Sequence, residues 1–139
     1  MPPELILLPM GALAALTFIV LSLVPFHRFR AAFSGQVTAA DFRYGESERV
    51  PGQVSIPNRN YMNLLELPML FYVVAILYFV TSQVDLPALV LAWAYVALRA
   101  LHSFVHLTYN NVMHRLAMFA TSNVVLLGLW IWFFVRMFG

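Results

Sequence analysis

The third apolar segment of the chain carries a row of polar side chains. Within residues 95–115, YVALRALHSFVHLTYNNVMHR, the polar positions Arg99, His102, His106 and Tyr109 follow one another at steps of three, four and three. These steps match the period of an α-helix, so the four side chains are predicted to share one face. An arginine near the bilayer centre is disfavoured by about 2.5–3.5 kcal/mol on insertion scales. We therefore expect this face to point into protein or a wet cavity and to find a partner there.

The composition indicates a polytopic membrane protein. Of the 139 residues, 62% are hydrophobic and only 10% are charged, and the mean hydropathy is +0.80. The net charge of +2 is too small to suggest a nucleic-acid partner, and the absence of cysteine excludes thiol catalysis and Cys-ligated metals. Four apolar runs predict an all-α, antiparallel four-helix membrane bundle in a single domain, residues 1–139. The predicted helices cover about 5–26, 58–81, 86–108 and 115–138, with a polar loop at 27–57.

Local signals refine this prediction. Thr38 and Asp41 have the spacing of a capping box for a short helix in the loop. Asn58 is a plausible N-cap for the second helix, and Pro68 is expected to kink that helix. The short TSQVD turn, residues 81–85, predicts that the second and third helices are antiparallel neighbours.

Arginines are concentrated at one end of the predicted bundle. The long loop and the turn after the third helix carry six of them: Arg28, Arg30, Arg43, Arg49, Arg59 and Arg115. The opposite end has only Arg136, together with Glu4 and Asp85. The positive-inside rule therefore predicts that the arginine-rich end is cytoplasmic and that both termini lie on the other side.

A second polar face is predicted on the second helix, where Arg59, Asn63 and Glu66 follow at steps of four and three. Glu66 and Arg99 would lie ~22 and ~20 Å from the turn that joins their helices, at 1.5 Å per residue. Because two unpaired charges in a membrane would be far less favourable than one neutral pair, we predict a buried Glu66–Arg99 ion pair.

Simpler interpretations exist for each of these residues. A buried ion pair is more often structural than catalytic, and an asparagine such as Asn63 in a membrane helix often bonds a neighbouring helix. His102 and His106 have a spacing usable for zinc or haem, but no third ligand stands at an obvious spacing, so no metal site is predicted. Arg115 alone could be an anchor for lipid headgroups.

Taken together, the motifs resemble the MAPEG family, the membrane-associated proteins in eicosanoid and glutathione metabolism. The resemblance consists of four spans, a basic first loop, R-x-x-x-N-x-x-E in the second helix, R-x-x-H in the third and an arginine near the start of the fourth. It covers nearly the whole chain. It implies a homotrimer that binds glutathione as co-substrate between neighbouring subunits, on the cytoplasmic side, together with a lipophilic substrate from the membrane.

Residue by residue, the resemblance implies that Arg115 lies beside the glutathione sulfur and acts in catalysis. A guanidinium and the positive end of a helix both favour a thiolate over a thiol. With the rest of the polar row, the candidate glutathione-binding residues are Arg28, Arg59, Asn63, Glu66, Arg99, His102, His106 and Tyr109. The chain departs from the family pattern at Tyr61, where a histidine is usual, at Met62, where a basic residue is common, and at His106, where many relatives have tyrosine.

Three functional hypotheses follow. The first is a glutathione-dependent transferase or peroxidase that acts on apolar electrophiles from the bilayer. The second is a non-enzymatic lipid-binding or scaffold protein of the same fold. The third is a proton or ion pathway lined by Glu66, Arg99, His102 and His106, although the excess of arginine favours an anionic ligand over cation conduction.

Overall fold

A computed structural model describes all residues from Met1 to Gly139 and is almost entirely helical. Four helical segments are long and apolar enough to cross a membrane, as predicted. The α-helices are α1 (Leu7–Phe33), α2 (Gly52–Leu65), α3 (Pro68–Val80), α4 (Leu86–Leu107) and α5 (Val112–Phe138). Helices α2 and α3 together form the second span. The homotrimer and the side of the membrane that each end faces stay predictions.

Helix α1 is longer than predicted. It includes Pro25, continues past Phe26 to Phe33, and ends just before Gly35, which has a φ of +79°. There the Gln36 N–H donates to the Ala31 carbonyl at 3.0 Å, which is the long hydrogen bond of a Schellman motif. The predicted end at residue 26 was wrong because it followed the hydrophobic run, whereas the left-handed glycine ends the helix.

The connection between α1 and α2 is ordered around Asp41. This residue accepts hydrogen bonds at 2.8 Å from the Thr38 backbone N–H and from the Ser47 hydroxyl, and it closes the predicted capping box over a short 3-10 turn, Ala39–Phe42. These two hydrogen bonds lower the pKa of the Asp41 carboxyl, because they favour its charged form. The prediction of a cap at Thr38 and Asp41 is confirmed.

The second span begins earlier than predicted and is broken in the middle. Helix α2 starts at Gly52 after Pro51, so Asn58 lies inside the helix and is not its N-cap. The predicted kink at Pro68 is confirmed as a complete break, since Glu66 has φ −78° and ψ −95° and α3 starts again at Pro68. Proline lacks an N–H group and its ring clashes with the carbonyl four residues earlier, which explains the break.

Consecutive spans run in opposite directions, so α4 is antiparallel to α5, along which it mainly lies, and parallel to α1, its next neighbour. At the end with the termini, Asp85 caps α4 by accepting from the Ala88 N–H at 3.0 Å. Its carboxylate also accepts from Trp132 Nε1 at 3.1 Å and pairs with Arg136 at 3.3 Å. This carboxylate therefore connects the start of α4 to the end of α5 at the end of the bundle opposite the arginine-rich one.

Candidate functional site

Three of the four predicted polar side chains on α4 face the protein interior. Arg99 is completely buried, and His102 and His106 are each 3% exposed, so the predicted inward face is confirmed for these residues. Tyr109 does not belong to it. Because α4 ends at Leu107, Tyr109 lies in the following turn, where its hydroxyl is 2.8 Å from His114 Nδ1 on the exposed surface.

The buried Arg99 side chain has one protein hydrogen bond. Its Nη2 donates to the backbone carbonyl of Asn63 at 3.1 Å, and its Cζ lies 5.7 Å from the ring centre of Phe119. In an unbroken helix that carbonyl would accept from the N–H four residues on, but the break before Pro68 leaves it free. The other two guanidinium nitrogens, Nε and Nη1, are buried without a partner.

The predicted Glu66–Arg99 ion pair is wrong for the protomer. The structure contains two salt bridges, Arg28–Glu46 and Arg136–Asp85, and neither involves Arg99. Glu66 is exposed on the protomer surface at the helix break. The prediction compared the distances of Glu66 and Arg99 from the turn between their helices, and it assumed that the second helix is unbroken. Because the chain changes direction at Glu66, its side chain points away from the interior that Arg99 faces.

Arg115 does not open the last helix, contrary to the prediction. Helix α5 starts three residues earlier, at Val112, and the Asn111 side chain caps it by accepting from the N–H groups of Met113 and His114. The guanidinium of Arg115 instead donates from Nη1 to Asn110 Oδ1 at 2.6 Å. Its Nε is buried and unpaired, so this side chain is held in place and still has hydrogen-bonding capacity.

A cavity of about 270 Å³ joins several of these groups at the arginine-rich end. Its lining consists of Asn63, His102, Val112, Arg115, Leu116 and Phe119. Arg99 lies directly behind the wall, because it contacts both Asn63 and Phe119. The surroundings are thus cationic and combine apolar side chains with unpaired nitrogens of Arg99 and Arg115, which suits an anionic ligand.

A family model matches nearly the whole chain. The model of the MAPEG family matches residues 6–135. The chain belongs to the MAPEG family. No curated protein and no solved structure matches it. The matched range includes every candidate site residue and all the motifs on which the resemblance was based.

The remaining candidates lie apart from the cavity in the MAPEG protomer. Arg28 is engaged by Glu46 at 3.4 Å and lies over the Phe42 ring, with 4.6 Å between Cζ and the ring centre. Arg59 is exposed on α2. His106 is one turn from His102, and 6.0 Å separates their ring centres. The fold of a single chain therefore brings Asn63, His102 and Arg115 to the cavity, with Arg99 behind its wall and His106 beside the His102 ring.

Sequence reasoning missed a buried polar contact that joins α2 to α4 beside this MAPEG site. Asn60 is completely buried and its Oδ1 accepts from the Ser103 hydroxyl at 3.2 Å. Asn60 is three residues before Asn63, and Ser103 is four residues after Arg99, so this contact lies about one turn from the Arg99–Asn63 contact along the same pair of helices. Ser103, four residues from Arg99 on the same helix face, was the signal available in the sequence.

We expect Asn60 and Ser103 to be energetically coupled. Ser103→Ala would leave Asn60 buried with neither its Oδ1 nor its Nδ2 bonded, since Nδ2 already lacks a partner. The double variant Asn60→Leu/Ser103→Ala should be less destabilised than the sum of the single variants, with a coupling of ~0.6–1.7 kcal/mol. Equilibrium unfolding in mixed micelles provides the measurement.

Ser122→Ala is the matched control for this cycle. Ser122 is equally buried, but its hydroxyl donates at 2.7 Å to the Phe119 carbonyl of its own helix. It should therefore show no coupling with Asn60→Leu. Strict additivity of the Asn60 and Ser103 variants would show that the contact contributes nothing to the packing of α2 on α4.

Proposed function

We propose that this protein is a glutathione-dependent transferase or peroxidase that acts on apolar electrophiles dissolved in the bilayer. One observation carries the proposal. Arg99 is completely buried, two of its nitrogens have no protein partner, and it lies behind a cavity that Arg115 lines. A buried cation without a counter-ion is unfavourable unless an anion joins it. Membership of the MAPEG family agrees with a glutathione-related role.

The chemistry of glutathione suits these surroundings, because the tripeptide carries two carboxylates, an ammonium group and a thiol. Arg99 and His102 would bind one carboxylate end of the molecule beside Asn63, through hydrogen bonds assisted by charge. Arg59 and Glu66 are exposed on the protomer, so they would meet the remaining charged groups at a boundary with a neighbouring subunit. This division of roles assumes the homotrimer that the family resemblance implies.

Arg115 would then act on the sulfur. The reactive form of a thiol is the thiolate, and a nearby guanidinium favours it. Lowering the pKa of a bound thiol by one unit requires ~1.4 kcal/mol of preference for the anion. A single close guanidinium in a partly dry cavity can supply that preference. Because Asn111 already satisfies the first N–H groups of α5, we assign this role to the side chain and not to the helix terminus.

Direct measurement of glutathione binding tests the proposal. Full-length protein in detergent should release heat on titration with glutathione, and the complex should show the ultraviolet absorbance of a thiolate. S-methylglutathione is the matched control, because it should bind with similar affinity and give no thiolate signal. If neither compound binds, the scaffold hypothesis replaces the enzymatic one. If both bind but no thiolate forms, the protein binds glutathione without activating it.

A further inference from the structure

A second candidate site lies at the arginine-rich end of α1, away from the cavity described above. A polar cavity of about 310 Å³ is lined by His27, Arg30, Ala31, Ser34, Gln36, Gln53 and Val54. Next to it lies an aromatic groove of about 570 Å³, lined by Phe26, Phe29, Arg30, Phe33 and Ser34. Arg30 and Ser34 belong to both, so the two concavities are continuous. Together they form a surface with one polar half and one apolar half.

The position of this surface along α1 corresponds to the headgroup layer of a membrane. Helix α1 has 27 residues, whereas a hydrocarbon layer of ~30 Å needs roughly 20 at 1.5 Å per residue. The run without ionisable side chains ends at Phe26, and His27, Arg28 and Arg30 follow. The last two turns of α1 therefore extend beyond the hydrocarbon, where phosphate groups and the first methylenes of acyl chains are found.

The charges favour an anionic occupant. Arg28 is paired with Glu46, but Arg30 takes part in neither of the two salt bridges in the structure. No acidic residue lines either concavity. His27 and the two glutamines offer further hydrogen-bond donors around Arg30, whereas the Ser34 hydroxyl donates to the Ala31 carbonyl. An unpaired guanidinium at headgroup depth attracts an anionic lipid, and its planar fork matches a phosphate.

The aromatic half identifies the other part of the occupant. Phe29 and Phe33 stack with their ring centres 6.4 Å apart, and they are 62% and 90% exposed. Phe26 extends this surface toward the membrane and is 57% exposed. Such a continuous exposed apolar patch marks a contact with lipid or protein, and here it starts at the polar cavity and runs toward the bilayer.

We propose that this surface is a binding site for an anionic phospholipid, with the phosphate at Arg30 in the polar cavity and an acyl chain along Phe26, Phe29 and Phe33. The site is independent of the glutathione chemistry, since none of its lining residues belongs to the cavity that Arg115 lines.

Native mass spectrometry of the full chain with added phosphatidylglycerol or phosphatidylcholine tests the proposal. Wild type should bind phosphatidylglycerol more tightly than phosphatidylcholine. Arg30→Gln should weaken the binding of phosphatidylglycerol about fivefold or more and remove the preference. Arg43→Gln is the matched control, because Arg43 is an exposed loop arginine that lies over the Tyr44 ring outside both concavities. It should leave the preference intact.

Three further measurements separate the alternatives. Phe33→Ala keeps the charge and should weaken phosphatidylglycerol binding as well, which also covers the case in which Arg30→Gln fails to fold. Displacement of the lipid by inorganic phosphate at millimolar concentration, with no effect of Phe33→Ala, would mean a free-anion site and would overturn the proposal. The chain has no cysteine, so Phe33→Cys gives a single labelling site. If that cysteine forms a disulfide with the same cysteine of a second copy, the surface is a subunit interface. That result would also overturn the proposal.

Discussion

Arg99→Met is expected to separate stability from binding. In the ligand-free protein this substitution removes a buried charge that has one hydrogen bond and two unpaired nitrogens, and it replaces them with a flexible apolar side chain. The free energy of unfolding should therefore stay unchanged or rise, by as much as ~3 kcal/mol. The stabilisation by glutathione should disappear, although it would reach ~2.7 kcal/mol in wild type at a ligand concentration of 100 times Kd.

Equilibrium unfolding with and without glutathione measures both effects on the same samples. Glu66→Gln serves as the comparison, because the structure places no contact between Glu66 and Arg99. The effects of the two substitutions on the stability of the ligand-free protein should add to within ~0.5 kcal/mol. A marked loss of stability in Arg99→Met, relieved by Glu66→Gln, would show that the two charges interact and would contradict the arrangement described above.

Arg115→Ala is expected to have the largest effect on catalysis. If its guanidinium favours the thiolate, the thiolate absorbance of bound glutathione and the rate of conjugation should both fall tenfold or more, which corresponds to ~1.4 kcal/mol or more. Glutathione affinity should change much less, because Arg99 and the other cations bind the carboxylates. The measurements are the thiolate spectrum, the calorimetric affinity and the rate with an apolar electrophile.

Two other variants make the test specific. Asn110→Gly keeps the left-handed backbone at this position, where φ is +49°, and removes the Oδ1 that Arg115 contacts at 2.6 Å. It should lower the rate by less than Arg115→Ala does. Arg136→Ala, at the opposite end of the bundle, should leave the rate unchanged. If Arg115→Lys is harmless and Arg115→Ala impairs only expression, Arg115 is a headgroup anchor and not a catalytic residue.

Much of the architecture follows from the sequence alone. The length and apolarity of four runs determine four spans, because a helix of about 20 residues crosses the hydrocarbon layer and satisfies its backbone hydrogen bonds within a single segment. Proline at position 68 determines a break, since the imino acid has no N–H to donate. The steps between Arg99, His102 and His106 determine that they share a face, and the insertion penalty of an arginine determines that this face points inward.

The partners of these side chains were decided only by the tertiary structure. Local spacing says that Arg99 is buried, but the acceptor that it finds is a backbone carbonyl, freed because Pro68 interrupts the helix at that depth. Glu66 was predicted as its partner from heights along straight helices. The chain changes direction at Glu66 itself, and its carboxylate therefore lies on the surface of the protomer. Helix direction depends on packing across the whole bundle, which periodicity does not contain.

The same limit applies to the ends of the helices and to the cavity. The sequence places Arg115 near the start of α5, but its distance from the first N–H groups of that helix depends on which asparagine is the N-cap. In the structure the N-cap is Asn111, so Arg115 lies at the fourth position of the helix. The Asn60–Ser103 contact joins residues 43 positions apart, so only the approach of α2 to α4 creates it. Sequence therefore determined which groups must be buried in this membrane protein, through the local cost of placing polar groups in lipid, while the three-dimensional packing of its helices decided which of those groups meet.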